Sequence, residues 1–372
     1  MSRPLLTVEV EGRDGTARAT TLRTPRGSIA TPCFMPVGTR GTVVALDAED
    51  LEALGVQVVL ANTYHLMLRP GPDVVAELGG LHRFTGWDGH ILTDSGGYQV
   101  FSLEPEVDDD GVTFRSTYDG STHRLTPVTA VDVQHQLGAD IQMVLDVCPP
   151  LPSPPEVVRQ AVARTAAWAE RAAAAFDHLR QSGSTQAQFG IVQGGVDPGL
   201  RVHSAHRTLA VGFDGYAVGG LSVGEPRDEM LPALAAALGE LPEDQPRYLM
   251  GVGDPRSIIE AVALGVDLFD CVLPTRWARH GTLLTDDGRI NLKNAVHGSA
   301  DEPLDPGCDC RVCGRYSRGY LRHLLQLREP TAARLLTVHN LHWLLALVAE
   351  ARRAVLDGRT DELRRRMAER WP

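Results

Sequence analysis

Lysine is almost missing from this sequence. Lys293 is the only one in 372 residues, so most lysine-dependent chemistries lose their usual candidate. Also missing is an apolar run near the ~18 residues of a membrane span, and the start, MSRPLLTVEVEGRDG, lacks the apolar core of a signal peptide. The expectation is a cytoplasmic protein with no membrane contact. Cysteines number six, few for this length; Cys33, Cys148 and Cys271 lie far apart, whereas Cys308, Cys310 and Cys313 crowd together. In a reducing compartment that spacing points to metal before disulfide. Positive charge is short overall, with a formal net charge of −11, which excludes wholesale attraction to nucleic acid. The balance is uneven, however: between Cys308 and Arg328 five arginines face one acid, Asp309, so a local basic face is compatible with an acidic protein.

The sequence is 43% hydrophobic and 22% charged, the composition of a globular chain long enough for one large domain or two smaller ones. The first thirty residues alternate as strands do, TVEVEG and then ARATTLRT, around a Gly-Arg-Asp-Gly turn, which predicts an antiparallel hairpin. Short apolar runs then recur: PCFMPV, VQVVLAN, HILTD, DIQMVLD, QFGIVQ, YAVGG, RYLMGV and VDLFDCV. Most are separated by amphipathic segments such as DAEDLEAL and PRSIIEAVALG. Eight buried strands alternating with helices predict an α/β protein of the (β/α)8 TIM-barrel type, with a doubly wound open sheet as the alternative. VTFRSTYDGSTHRL reads as an inserted hairpin around Asp119-Gly120. Near Gly298 the pattern changes to the cysteine cluster and further helices. This divides the chain into a barrel over 1–297 and a small metal-binding subdomain over 298–372.

The run His90-Ile91-Leu92-Thr93 stops at Asp94-Ser95-Gly96-Gly97-Tyr98. An aspartate at a strand end caps a helix or does chemistry, and paired glycines allow a sharp turn or a close approach to the backbone. Taken alone, this is a turn. The other runs end at Asp146, Gln193, Gly219-Gly220, Met250-Gly251 and Asp270, and in a barrel all C-terminal strand ends converge on one mouth. Three carboxylates, an amide, a glycine pair and Tyr98 would share one pocket. The strand ends carry no histidine, which disfavours a metal-dependent hydrolase centred there. At Cys308, Cys310 and Cys313 three thiolates can share one metal ion, a closed tetrahedral site needs a fourth ligand, and His339 or His342 in LLTVHNLHWLL can supply it. A redox-active cysteine set is the competing reading.

These residues, taken together, resemble a family. DSGGYQVFSL, Leu145-Asp146, GIVQGG at 190–195, VGGLSVGE at 218–225, RYLMGVG, and FDCVLPTRWARHG followed by Cys-x-Cys-x-x-Cys are similar to the bacterial tRNA-guanine transglycosylases, or queuine tRNA-ribosyltransferases. The resemblance runs from about residue 5 to residue 350. It implies a homodimeric TIM-barrel enzyme with one structural zinc ion per chain. Its partners would be the anticodon stem-loop of tRNAs with GUN anticodons and a free 7-deazaguanine that replaces the wobble guanine in queuosine biosynthesis. The nucleophile would be Asp270 and the general acid/base Asp94. Ser95, Tyr98, Asp146, Gln193, Gly219, Gly220, Leu221 and Met250 would hold the base, and Arg276 and Arg279 would read neighbouring nucleotides. Of the two histidines, the family pattern favours His339. A noncatalytic tRNA-binding relative would have lost the nucleophile or the base readers, and Asp94 and Asp270 are both present. One departure concerns the incoming base: Val147 stands where many bacterial members carry a Glu associated with the aminomethyl group. Val223 and Cys148 keep the bacterial pattern and Glu225 remains, which favours 7-aminomethyl-7-deazaguanine over queuine. Asp254 occupies a place where some relatives carry Lys.

Overall fold

The computed structural model describes residues 5–371. Eight parallel strands form a closed barrel in chain order: β1 (Cys33–Gly38), β2 (Val58–Ala61), β3 (His90–Thr93), β4 (Ile141–Met143), β5 (Ala187–Val192), β6 (Gly215–Val218), β7 (Arg247–Leu249) and β8 (Leu268–Cys271). Closure is made by β8 against β1, with Phe269 opposite Phe34. All eight correspond to the apolar runs read from the sequence, and the open-sheet alternative is excluded. They read as continuous rather than alternating apolar segments because a parallel barrel buries both faces of every strand; each residue of β1, β2, β5 and β6 is buried.

The N-terminal ends of the strands are closed by a three-stranded antiparallel sheet, Thr7–Asp14, Ala17–Arg23 and Ser28–Thr31. The expected hairpin is present, but its turn lies at Gly15-Thr16. The first strand runs on through Gly12-Arg13-Asp14 after a bulge between Val10 and Gly12. Arg18 fastens this sheet to the barrel. Its fully buried guanidinium pairs with the equally buried Asp267, whose carboxylate also accepts from the Arg247 amide at 2.8 Å. With this end sealed by a buried charge pair that would cost several kcal/mol to break, the opposite end is left for chemistry.

The insertion after β3 is a small sheet in which Val112–Arg115 pairs antiparallel with Thr122–Leu125, and Glu106–Val107 adds a third strand. After β8 come helix Leu273–Arg279 and the hairpin Thr282–Thr285 with Gly288–Asn291. The 27-residue helix Pro330–Leu356 packs along that hairpin, β1 and the N-terminal sheet. This helix alone among the described residues is long and apolar enough to cross a membrane by length and composition, a property that its interspersed polar residues hide in the sequence; 61% of its apolar window is buried inside the protein. Its apolarity is that of a core element.

Candidate active site and metal site

The C-terminal ends of the barrel strands surround a cavity of about 220 Å³. Asp94, Ser95, Tyr98, Asp146, Gly219, Gly220, Leu221, Met250 and Asp270 all line it. Asp94 follows β3 directly. One of its carboxylate oxygens accepts from the Thr63 amide at 2.8 Å and the Gly96 amide at 3.1 Å, and the other accepts from the Asn62 side chain. Gly96 has φ +79, and a Cβ there would stand 3.1 Å from the Tyr64 amide nitrogen. The first glycine of the pair therefore lets the chain turn back so that its own amide meets Asp94. Burial pushes the Asp94 carboxyl up to about 6, against the pull of the three donors, with the negative charge of Asp270 adding to the rise. Near neutral pH such a group exchanges a proton readily.

Asp270 lies within β8. Its Oδ1 accepts from the Tyr248 hydroxyl at 2.6 Å and from the Gly251 amide at 2.8 Å. Burial raises its pKa while these two donors oppose the rise. One oxygen is thus held, and the other accepts no hydrogen bond among the described residues. Tyr248 is 1% exposed and its own proton is held far more tightly than usual, by burial first and then by the neighbouring Asp270 charge; it serves as a donor, not as an acid.

Asp146 lies three residues past β4 and is buried. Its Oδ2 accepts from Gln193 Nε2 at 2.6 Å. Burial pushes its carboxyl up to about 6, the Gln193 hydrogen bond working against this and the Asp94 charge with it. Because the folded-state pKa exceeds the ordinary 3.8, the group favours folding while protonated. That contribution is present in full below about pH 4 and is lost as pH rises through about 6. Asp146→Asn should therefore stabilise the free protein at pH 7.5, by at most about 3 kcal/mol for a two-unit shift. The gain should fade as the pH is lowered to 4, which thermal melts of both proteins across this range will measure.

Gln193 stands apart from the others. It is 1% exposed and lies behind the cavity wall, where a Cβ on Gly220 would come within 2.3 Å of its Oε1. Tyr98 stands at the rim, 63% exposed, and Met250 faces the same cavity. Cys148 also lines it, but burial pushes its thiol up to about 12, so it is no thiolate nucleophile. Val147 points away into the apolar cluster of Tyr64, Phe114, Leu145 and Trp168. A glutamate in that position would bury a charge among hydrocarbon. Asp254 caps helix Pro255–Ala263, accepting from the Ser257 amide at 3.0 Å and from Arg227 at 3.1 Å. Arg276 is exposed on helix Leu273–Arg279, whereas Arg279 at its end is half-buried with its Nη1 buried and unpartnered, and neither pairs with a carboxylate among the described residues.

The ligand atoms of Cys308, Cys310, Cys313 and His339 lie within 4.8 Å of one another. His339 Nδ1 is 3.3–3.7 Å from the three sulfurs, and Nε2 donates to the Leu284 carbonyl at 2.9 Å. That carbonyl fixes the tautomer that presents a lone pair to the thiols. His342 turns the other way, to Asp309 at 2.7 Å. The four residues can hold a tetrahedrally coordinated metal ion with no position left for a substrate. Arg311 and Arg318 have structural partners, Asp50 for the first and Glu302 with the Leu304 carbonyl for the second. Arg315 lies over the Tyr316 ring.

Tyr248, Asn62 and the Thr63 amide were not anticipated from the sequence. Asn62 could have been found, because VQVVLAN ends on it just as HILTD ends on Asp94. A model of the family described as queuine tRNA-ribosyltransferase matches residues 14–372. The chain is 50% identical over 372 residues to a protein of that name from Moorella thermoacetica, covering 99% of this chain and 98% of the relative. It is 51% identical over 355 residues to one from Herpetosiphon aurantiacus, covering 95% and 89%. A third, from Thermus thermophilus, is 50% identical over 364 residues, covering 97% and 93%. On the strength of this near full-length similarity, the chain belongs to the queuine tRNA-ribosyltransferase family.

Proposed function

We propose that this protein is a tRNA-guanosine transglycosylase, a pentosyltransferase that exchanges the guanine at the first anticodon position for a 7-deazaguanine through a covalent aspartyl-ribose intermediate. The observation that carries this reading is the placement of two carboxylates with opposite needs at one cavity: Asp270 with one oxygen pinned by Tyr248 and Gly251, and Asp94 with its carboxyl at about 6. In the first displacement an Asp270 oxygen attacks C1′ of the ribose. The C1′–N9 bond breaks, its electron pair leaves with the base, and Asp94 supplies the proton that makes the product neutral guanine. In the second, N9 of the incoming base attacks C1′, Asp94 takes the N9 proton, and the ester bond returns its electrons to Asp270. Both displacements invert, so the configuration is retained, and the ester conserves the activated sugar without an external energy source.

Base choice follows from hydrogen-bond inventory. An ionised Asp146 accepts from N1–H and the 2-amino group, and the amides at Gly220 and Leu221 face the O6 acceptor. Gln193 orients Asp146 from behind, while Tyr98 and Met250 flank the ring. Both the Ser222 and Val223 amides donate to Glu225. In a trans peptide this directs the Leu221 carbonyl to the opposite side, toward the cavity. An acceptor there suits an ammonium group on C7, so the incoming base is 7-aminomethyl-7-deazaguanine. The tRNA anticodon loop would be engaged by Arg276 and Arg279.

Zinc is the ion that the three thiolates and one imidazole suit best. It would hold the loop 308–313 to helix Pro330–Leu356, which makes residues 298–372 a metal-organised subdomain on the barrel. The family resemblance also implies a homodimer in the cytoplasm. Cys310→Ser should drop the metal content from about one ion per chain toward zero and lower the melting temperature, because metal binding contributes to folding free energy. Elemental analysis with thermal melts checks this, and full stability in a metal-free preparation would contradict it. Exchange itself is tested by incubating the protein with unmodified tRNA and radiolabelled guanine.

A further inference from the structure

Arg201, in helix Pro198–Val211, is completely buried yet has no carboxylate partner among the described residues. Four of its five N–H groups donate to backbone carbonyls. Nε donates to Gly195 at 2.8 Å, Nη1 to Val192 at 2.9 Å and to Gly219 at 2.7 Å, and Nη2 to Gly220 at 3.1 Å. Val192 ends β5, and the other three carbonyls belong to the segments that follow β5 and β6. One turn further along the same helix, the Ser204 hydroxyl accepts from the Gln193 amide at 3.0 Å. A single helix thus positions both loops at the inner wall of the cavity. Burying a lone charge is costly, and burial lowers the Arg201 pKa to about 10, which still leaves it charged at neutral pH. Four carbonyls could be satisfied by neutral donors or water at less cost, so the charge itself calls for a use.

We propose that Arg201 is a positioning and specificity-determining residue that aims and polarises the Gly220 and Leu221 amides toward the 6-oxo group of the base. In a trans peptide the C=O of one residue and the N–H of the next point in opposite directions. With the Gly219 and Gly220 carbonyls turned onto the guanidinium, the N–H groups of Gly220 and Leu221 are turned away from it. Neither amide has an acceptor among the described residues, and both residues line the cavity while Arg201 does not. A cation on the carbonyl end of an amide draws electron density from its N–H and makes it a stronger donor. The same donors oppose charge that builds on O6 as the C1′–N9 electron pair passes into the departing base. Gly220 has φ +65 and its Cβ position is filled by Gln193, so the loop has room for little other than glycine while it follows this path.

The inference rests on the proposed reading of this cavity as a guanine site, and one pair of bases tests both separately. 6-Thioguanine keeps N1–H and the 2-amino group for Asp146 but replaces O6 with a poorly accepting sulfur. Inhibition of labelled-guanine exchange by 6-thioguanine is compared with the KM for guanine in the parent enzyme and in Arg201→Met, alongside the dissociation constant for tRNA. The parent should prefer guanine, and Arg201→Met should raise the guanine KM roughly ten- to a hundred-fold. The 6-thioguanine inhibition constant should move by less than about three-fold and tRNA affinity should be unchanged. Arg201→Lys, which keeps the charge, should fold and recover part of the preference; it carries the same comparison where Arg201→Met does not fold. Equal losses for both bases, or a parent enzyme that binds 6-thioguanine as well as guanine, would overturn the proposal. A parent enzyme that exchanges no guanine at all would instead overturn the reading of the site.

Discussion

Asp270→Asn protein will fold, bind tRNA with near-parental affinity and exchange no base. The amide can still accept from Tyr248 and the Gly251 amide, so the local hydrogen bonds at 2.6 and 2.8 Å survive. What it lacks is an anionic oxygen able to form an ester with C1′. Losses on removing a nucleophile from such a unit are on the order of 10⁴- to 10⁶-fold. On denaturing gels, the parent enzyme incubated with tRNA and a slowly reacting base analogue should give a covalent band, and the variant none. A variant that exchanged base at a comparable rate would remove Asp270 from the role.

The second large effect is expected at Asp146, where reading the base separates from breaking the bond. Asp146→Asn turns one acceptor into a donor facing another donor, which leaves buried groups unpaired at about 1–3 kcal/mol or more. The Michaelis constant for guanine should rise about ten- to a hundred-fold, while the dissociation constant for tRNA stays within about two-fold, since the RNA is held mainly through phosphate and loop contacts. The same substitution that weakens function should stabilise the free protein at pH 7.5, because the carboxylate it removes is held ionised against its burial. Function and stability oppose each other at this residue. Equal losses of base and tRNA affinity would make Asp146 a structural turn residue.

The barrel was legible because two-sided burial writes each strand as an apolar run, and the cavity was legible because the polar side chains that line it sit where those runs stop. Asp94, Asp146 and Asp270 each announce themselves as a carboxylate at the end of hydrocarbon. Tyr248 does not: inside Arg247–Leu249 it reads as one more core aromatic, and only the assembled barrel brings its hydroxyl to Asp270. Arg201 is hidden for a different reason. In PGLRVHSAHRTLAV an arginine reads as the solvated face of an amphipathic helix, and nothing in that segment says that carbonyls from the ends of two neighbouring strands will enclose it. His339 and His342 are indistinguishable by spacing alone, and packing decides between them by turning one toward Leu284 and the thiols and the other toward Asp309. The expected N-terminal turn at Gly-Arg-Asp-Gly was displaced because a bulge lets the strand absorb three of those four residues before turning.

One measurement reaches the central claim directly: unmodified tRNA is incubated with the purified protein and labelled guanine, chased with 7-aminomethyl-7-deazaguanine, and digested for analysis of each nucleoside. Label is expected to enter only the first anticodon position and to be expelled by the chase, with no nucleoside triphosphate or redox cofactor needed. Label entering a different position, or no entry with folded and metal-replete protein, would contradict that claim.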